Sequence, residues 1–340
     1  MPHRKPPQHN AGRRPTLKTI AEISGFAVAT VSRALAGDPK IALATRQKVA
    51  SVAASVGYVP DRAAQRLRTG KTKVISLILD QHQEILGFGN SLVVGLTQAL
   101  RGTDYHLNIT PHFLDDGGIG PVERIVRNKL ADGIIFSRTQ PFDERARFLL
   151  EHKFPFVCHG RTFLSEQHAF VDFDNEAFAK MAVEQLVRKG CKHVCIILPP
   201  EELTFRQHLK YGFMTAVSDA AVRYHIPENI HLDDTSDSIR EWAMQLAANN
   251  DCPDGFVCPG ETSYLALNSG FRDAGNADQN RKQFIVKATT SLMQQIDPGV
   301  DRIREDIQIA GEALATQLLN QITVTGAPVQ QRIFQPVAEF

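Results

Sequence analysis

Residues 27–33, Ala-Val-Ala-Thr-Val-Ser-Arg, gather side chains that an ordinary surface helix does not carry together. Val28, Val31 and Leu35 recur at helical spacing, which predicts one buried side. The other positions hold Ala29, Thr30, Ser32 and Arg33, with no acid among them. Hydroxyls can meet phosphate oxygens, small apolar groups can meet thymine methyls, and an arginine fork matches guanine O6 and N7. This chemistry suits a narrow helix entering the major groove of DNA. The alternative is an internal helix buried on two sides.

Other chemistry is scarce. The cysteines at 158, 191, 195, 252 and 258 are odd in number, and three of them lie in apolar runs. They read as reduced core residues. Cys191 and Cys195 flank Lys192-His193, but no second ligand pair accompanies them, so no metal is expected. A Gly87-Phe88-Gly89 stretch hints at a dinucleotide loop, yet position 92 is Leu where the third glycine belongs. There is no Walker loop, nucleophile elbow or His-Glu-x-x-His, so neither an enzyme nor a cofactor is expected. An enzyme fused to a regulator is the alternative.

The candidate reading helix lies in a charged setting. Residues 1–73 hold 14 Lys and Arg against 3 Asp and Glu, and the remainder holds 24 against 34. A basic head on an acidic body points to a polyanionic partner for the head. Residues 1–14 read as a disordered basic tail, with no apolar signal core, and no run reaches the ~18 apolar residues of a membrane span. A cytoplasmic protein is expected. Leu17, Ile20, Ala21 and Ile23 share a helical face that Gly25 ends. After a short turn comes the helix at 28–36, then the Gly37-Asp38-Pro39 break. A third helix runs from about Thr45 through Val49, Val52, Ala53 and Val56 to Gly57. Three short helices over residues 15–60, the first two joined tightly, make a helix-turn-helix.

Residues 16–73, from "TLKTIAEISGFAVATVSRALAG" through "TRQKVASVAASVGYVPDRAAQRLRTGKT", resemble the head of the lactose-repressor/galactose-repressor family of bacterial transcription regulators. The resemblance implies that Val28, Ala29 and Arg33 face bases and that Thr16, Thr30 and Ser32 belong to the DNA-binding surface. It makes residues 61–73 a hinge helix and linker, with Ala64 at a close-packed position and Leu67 as a wedge in the minor groove. One departure is Ala27, where the family usually carries a capping Ser; its loss is expected to cost about 0.5–2 kcal/mol locally.

From Val74 to Phe340 apolar strands alternate with amphipathic helices: "VISLIL", "YHLNIT", "DGIIF", "PFVCH", "AFVDF", "HVCIIL", "DGFVC" and "QFIVKA" are the strand candidates. Buried strands separated by helices predict parallel α/β sheets, enough for two lobes with a ligand site between them. This body is similar to the family's effector domain, related to periplasmic sugar-binding proteins, with crossovers expected near 173, 303 and 329. The family pattern places Phe88, Ser137, Arg138, Arg161 and Asp174 in the cleft. Departures follow: the family's aspartate falls on Ala288 after Lys287, its Ser-Asn-Asp reads Pro259-Gly260-Glu261, and its arginine falls on Leu209, with Arg206 and His208 nearby. Arg206, Glu261 and Lys287 therefore join the candidate effector residues. The loss of an acid and an amide and the gain of a lysine point to an anionic effector, a sugar phosphate or organic acid. The alternative is that Arg138 and Arg161 pair with Asp174 and Glu261 and leave no surplus charge.

Together these features predict a homodimeric repressor that binds a near-palindromic double-stranded operator under the control of a small-molecule effector.

Overall fold

The computed structural model describes residues 15–59, 66, 69–80, 87–112, 118–275 and 282–340. Ala64 and Leu67 lie outside the described residues. The chain divides into two compact units, with the boundary in sequence between Thr72 and Lys73.

In the first unit, helices α1 (Leu17–Ser24), α2 (Val28–Leu35) and α3 (Leu43–Ser55) close over Ile20, Val31, Ala34, Val49 and Ala53. Thr16 caps α1 in a reciprocal box with Thr19, and Gly25 ends it with φ of 76°. The buried side of α2 is Val31 and Ala34, with Leu35 half-buried. The expectation that Val28 shares this side is wrong: it is 41% exposed, at the helix start beside Ala29. Ile23 is likewise exposed.

Among the described residues the second unit holds two six-stranded sheets. The first contains β1 (Val74–Asp80), β2 (His106–His112), β3 (Gly133–Phe136), β4 (Phe156–His159), β5 (Phe170–Phe173) and β11 (Gln331–Phe334), in the order β11-β5-β4-β3-β1-β2. The second contains β6 (His193–Ile196), β7 (Arg223–His225), β8 (Gly255–Cys258), β9 (Gln283–Ala288), β10 (Asp301–Arg304) and β12 (Val337–Glu339), in the order β12-β10-β9-β8-β6-β7. All pairings are parallel except β10 with β12.

Helices α4 (Phe88–Leu100), α5 (Gly120–Arg127), α6 (Glu144–Glu151) and α12 (Ile307–Thr323) belong to the first lobe. Helices α7 (Asn175–Arg188), α8 (Thr204–Ala220), α9 (Ser236–Ala247), α10 (Glu261–Asp273) and α11 (Leu292–Ile296) belong to the second. Each sheet is covered on both faces, which is why its strands read as continuous apolar runs. Cys191 and Cys195 fall in the clusters on opposite faces of the second sheet. The chain passes between lobes after Phe173, after Arg304 and between Phe334 and Val337, the last beyond the expected 329. At Gly212 a Cβ would stand 2.2 Å from the Glu176 carbonyl oxygen, so only glycine lets α8 lie this close to α7. Among the described residues no helix is long and apolar enough to cross a membrane.

Candidate nucleic-acid interface and ligand cleft

On α2, Val28, Ala29 and Arg33 are exposed and Thr30 and Ser32 half-buried. Arg33 Nε donates to Asp38 Oδ2 at 2.8 Å. No acid stands in the first turn, and Ala27 gives the helix no side-chain cap. The first amides of α2 therefore carry the positive end of the helix dipole without a side chain across them. Thr16 is exposed, and its hydroxyl already accepts from Thr19 N–H at 3.4 Å.

In the second unit a cleft of about 540 Å³, counted with its open mouth, lies between the two lobes. Its walls come from the C-terminal ends of strands and the first turns of helices, the usual ligand position in open α/β sheets. Phe88 begins α4. Ser137, Arg138 and Thr139 follow β3, while His159, Gly160 and Arg161 end β4 and follow it. The β3 end is held from behind. Arg145 is buried, pairs with Asp143 at 2.7 Å and lies over the Phe136 ring at 4.4 Å. Its Nη2 donates to the carbonyls of Ser137 and Arg138 at 3.2 and 2.9 Å. This fixes Arg138, whose φ is 54°. Gly160 has φ of 114°, and a Cβ there would stand 2.6 Å from Thr139 Oγ1. That hydroxyl donates to the Arg161 carbonyl at 2.7 Å.

Every cation on the wall has an acid beside it. Arg161 Nε donates to Asp172 Oδ2 at 2.6 Å, and its Nη2 lies 3.3 Å from His208 Nδ1. Arg138 pairs with Asp233. Lys287, 3% exposed, sits 3.2 Å from Glu305 Oε2 and donates to Asn175 Oδ1 at 2.6 Å. The rings of Phe173 and Phe178 lie 5.0 and 5.3 Å from its ammonium. Burial lifts the Asp172 carboxyl above its usual range, against the pull of Arg161. Burial, then Arg161, brings His208 down to about 4. Burial also lowers His159, against Glu305 and Asp172. Both imidazoles are therefore neutral near pH 7. Among the described residues, two buried polar atoms at the cleft, Ser137 Oγ and His159 Nε2, have no hydrogen-bond partner. Such atoms are costly unless something completes them.

Phe88, Ser137, Arg138, Arg161 and Lys287, expected from the sequence, all line the cleft. Asp174, Arg206 and Glu261 do not. Asp174 caps α7, accepting from Ala177 N–H at 3.0 Å. Glu261 is wholly buried and accepts from Thr289 N–H and Oγ1 at 2.6 and 2.8 Å. Arg206 turns to the Pro199 carbonyl and to Glu201. The premise of surplus positive charge fails too. The acids that balance Arg161, Arg138 and Lys287 are Asp172, Asp233 and Glu305, in place of Asp174 and Glu261. Asp172 was hidden in an apolar strand, and Glu305 in a crossover with no pattern of its own. His159 left a trace in sequence, a histidine ending the "PFVCH" strand.

Residues 16–61 match the family described as "Bacterial regulatory proteins, lacI family". The HTH-type transcriptional regulator AglR of Rhizobium meliloti (strain 1021) is 32% identical over 327 residues, 94% of this chain and 91% of that protein. The HTH-type transcriptional regulator CelR of Thermobifida fusca is 24% identical over 318 residues, 92% and 93% of the two chains. Among solved structures, the lac repressor dimer bound to operator and the anti-inducer ONPF superposes with a TM-score of 0.80 at 16% identity. The match covers 96% of this chain and 98% of that one. A transcriptional regulator CelR–cellobiose complex gives 0.67 at 22%, covering 96% and 99%.

Proposed function

Since the chain belongs to the lacI family of bacterial regulatory proteins, and is a DNA-binding transcriptional regulator rather than an enzyme, we propose that it is a cytoplasmic homodimeric repressor whose effector is a neutral, polyhydroxylated molecule of the sugar class. The operator is a near-palindromic duplex, because one helix reads only a few base pairs and a two-fold pair reads two half-sites. The observation that carries the effector class is the pairing of every cleft cation with its own acid. An arginine whose charge is met by an aspartate still donates hydrogen bonds, and the aspartate still accepts them. Adjacent donor and acceptor suit adjacent hydroxyls, whereas a phosphate would have to displace a carboxylate. Phe88 supplies an apolar wall for a sugar ring. The cellobiose of the CelR complex is a neutral disaccharide, which supports the same class. DNA affinity comes chiefly from the basic head and falls steeply with salt.

Calorimetry on the full chain decides the class. Neutral di- and oligosaccharides are titrated beside their phosphorylated or carboxylated counterparts. The neutral member of a pair should bind and the anion should not. Anion-selective binding, lost in Arg161→Ala, would restore the anionic effector that the family departures suggest.

A further inference from the structure

Asp38 is one of three acids in the first 73 residues, and it stands against the arginine of the reading helix. A carboxylate on a surface that meets phosphates weakens binding to any duplex. Its position is well determined. Oδ1 accepts from Lys40 N–H at 2.9 Å, and Oδ2 accepts from Arg33 Nε at 2.8 Å. The Asp38 N–H donates to the Arg33 carbonyl at 3.1 Å, and Ile41 N–H donates to the Asp38 carbonyl at 3.0 Å. The turn that ends α2 thus anchors the acid, and the acid anchors the arginine. The Lys40 amide and then Arg33 hold the carboxyl below its usual range, so it is ionised at neutral pH.

A guanidinium offers five N–H groups in a rigid fork. Asp38 occupies the one on Nε. Among the described residues the two η nitrogens have no partner, and these form the end of the fork that can grip guanine O6 and N7. A free arginine on a helix surface samples many rotamers, and most of them reach phosphate as well as base. One held at Nε has fewer to lose when it meets a base edge.

We propose that Asp38 is a positioning residue for sequence reading: it orients Arg33 toward a base and gives up general attraction to DNA in exchange for selectivity. This rests on the reading of Arg33 as a base contact.

The two ideas can be tested apart. A duplex selected from a randomised library by the full-length wild-type protein serves as operator. Each half-site position is then varied, and an unrelated duplex serves as random DNA. Arg33→Ala, Asp38→Ala, Asp38→Asn and Arg33→Ala/Asp38→Ala are compared by fluorescence anisotropy. Asparagine keeps an oxygen for the Lys40 amide but has one acceptor for two donors, so it spares the turn more than the arginine. We expect Asp38→Ala to reduce discrimination at one base pair per half-site by up to about five-fold, the limit an exposed pair of this kind sets, with Asp38→Asn in the same direction. Affinity for random DNA should hold or rise, because a negative charge has gone. In the Arg33→Ala background the same change should leave base preference untouched.

Equal losses on both duplexes with base preference intact would overturn the proposal, since a merely structural acid behaves so. An undiminished Asp38→Ala effect on base preference without Arg33 would overturn it as well. If Arg33→Ala leaves base preference unchanged, the base-reading arginine is what has failed, and the positioning role falls with it.

Discussion

Arg33 in the head and Arg161 in the cleft each donate Nε to an aspartate, at 2.8 and 2.6 Å. The two pairs nevertheless do different things. Arg33 and Asp38 are 51% and 27% exposed, and cations outnumber acids around them. Arg161 and Asp172 are 24% and 5% exposed. A pair in water is worth about 0–1 kcal/mol, so a base or phosphate competes with it readily. A buried pair resists breaking, because the partner left behind is a charge without solvent. The same pair of residue types therefore steers an arginine in one place and cancels it in the other. Exposure and the surrounding charge decide which: the head keeps a surplus of cations, whereas the cleft pairs each of its cations with an acid, the basis of the neutral effector proposed above.

Glu305→Gln should break this contrast most severely. It leaves Lys287 buried with an amide and two rings as its company. We expect a loss of about 3–5 kcal/mol in the second unit, the range for a buried pair stripped of one partner. Denaturant unfolding followed by circular dichroism measures it. The double change Lys287→Met/Glu305→Gln should recover most of the loss. A stable Glu305→Gln protein would mean that the lysine does not depend on this acid, and the cleft would then have a cation to offer an anion.

Arg33→Ala probes the other side. Operator binding should weaken by about 1–3 kcal/mol with relaxed specificity, while random DNA loses less. Equal losses on both duplexes would reduce Arg33 to a phosphate contact, and the head would read shape and charge alone.

The head was legible in sequence because its chemistry is local. Eight residues of α2 carry both the buried and the exposed side, and the turn residues mark its ends. Val28 shows the limit: helical spacing put it inward, but a residue in the first turn of a short helix lies past the edge of a three-helix core. In the body the eight apolar runs all form strands, whereas β7, β10, β11 and β12 were not foreseen. Those four are short. β11 and β12 are edge strands whose backbone pairing gives little alternation to see, and their displacement carried the third crossover past 329. The cleft was half legible. Family pattern placed Phe88, Ser137, Arg138 and Arg161 in the cleft, and a departure from it pointed to Lys287, but the pattern's Asp174 caps α7 instead, and the sign of the site depended on acids from other strands and crossovers. Pairing at sequence distances such as that from Arg138 to Asp233 leaves no periodic trace.

His208 extends the contrast to pH. Its folded value of about 4 lies below the usual 6.5, because burial and Arg161 disfavour its charged form. The unfolded chain therefore binds the extra proton first as pH falls. Stability from this residue is fully present above about 6.5 and is lost as pH drops toward 4. After allowance for solvent screening the effect is on the order of 1 kcal/mol. Melting curves across that window should be flatter for His208→Gln. An unchanged slope would show that the ring is better solvated than its neighbours suggest.

The smallest expected effect concerns how the two units begin their helices. In the body, α6, α7, α9 and α12 start at Asp143, Asp174, Thr235 and Asp306, each with a side chain accepting from a first-turn amide, while α4, α5, α8, α10 and α11 start without a side-chain cap; of the three head helices only α1 has one, from Thr16. In the head, α2 and α3 start at Ala27 and Ala42, which can accept nothing through their side chains. A small three-helix unit has little core to spare for uncapped amides. Ala27 already has the extended backbone of a cap, with φ −61° and ψ 147°, so a serine there would present its hydroxyl to the amide of Ala29 or Thr30 without rearrangement. Ala27→Ser should stabilise the head by about 1 kcal/mol, seen as a later melting of the helical signal in the full chain. Ala27 precedes the reading face, so base preference should not change. If the serine instead leaves stability unchanged and weakens binding to operator and random duplex alike, the open amides of α2 are themselves a phosphate site, and the bare alanine is there to keep them free.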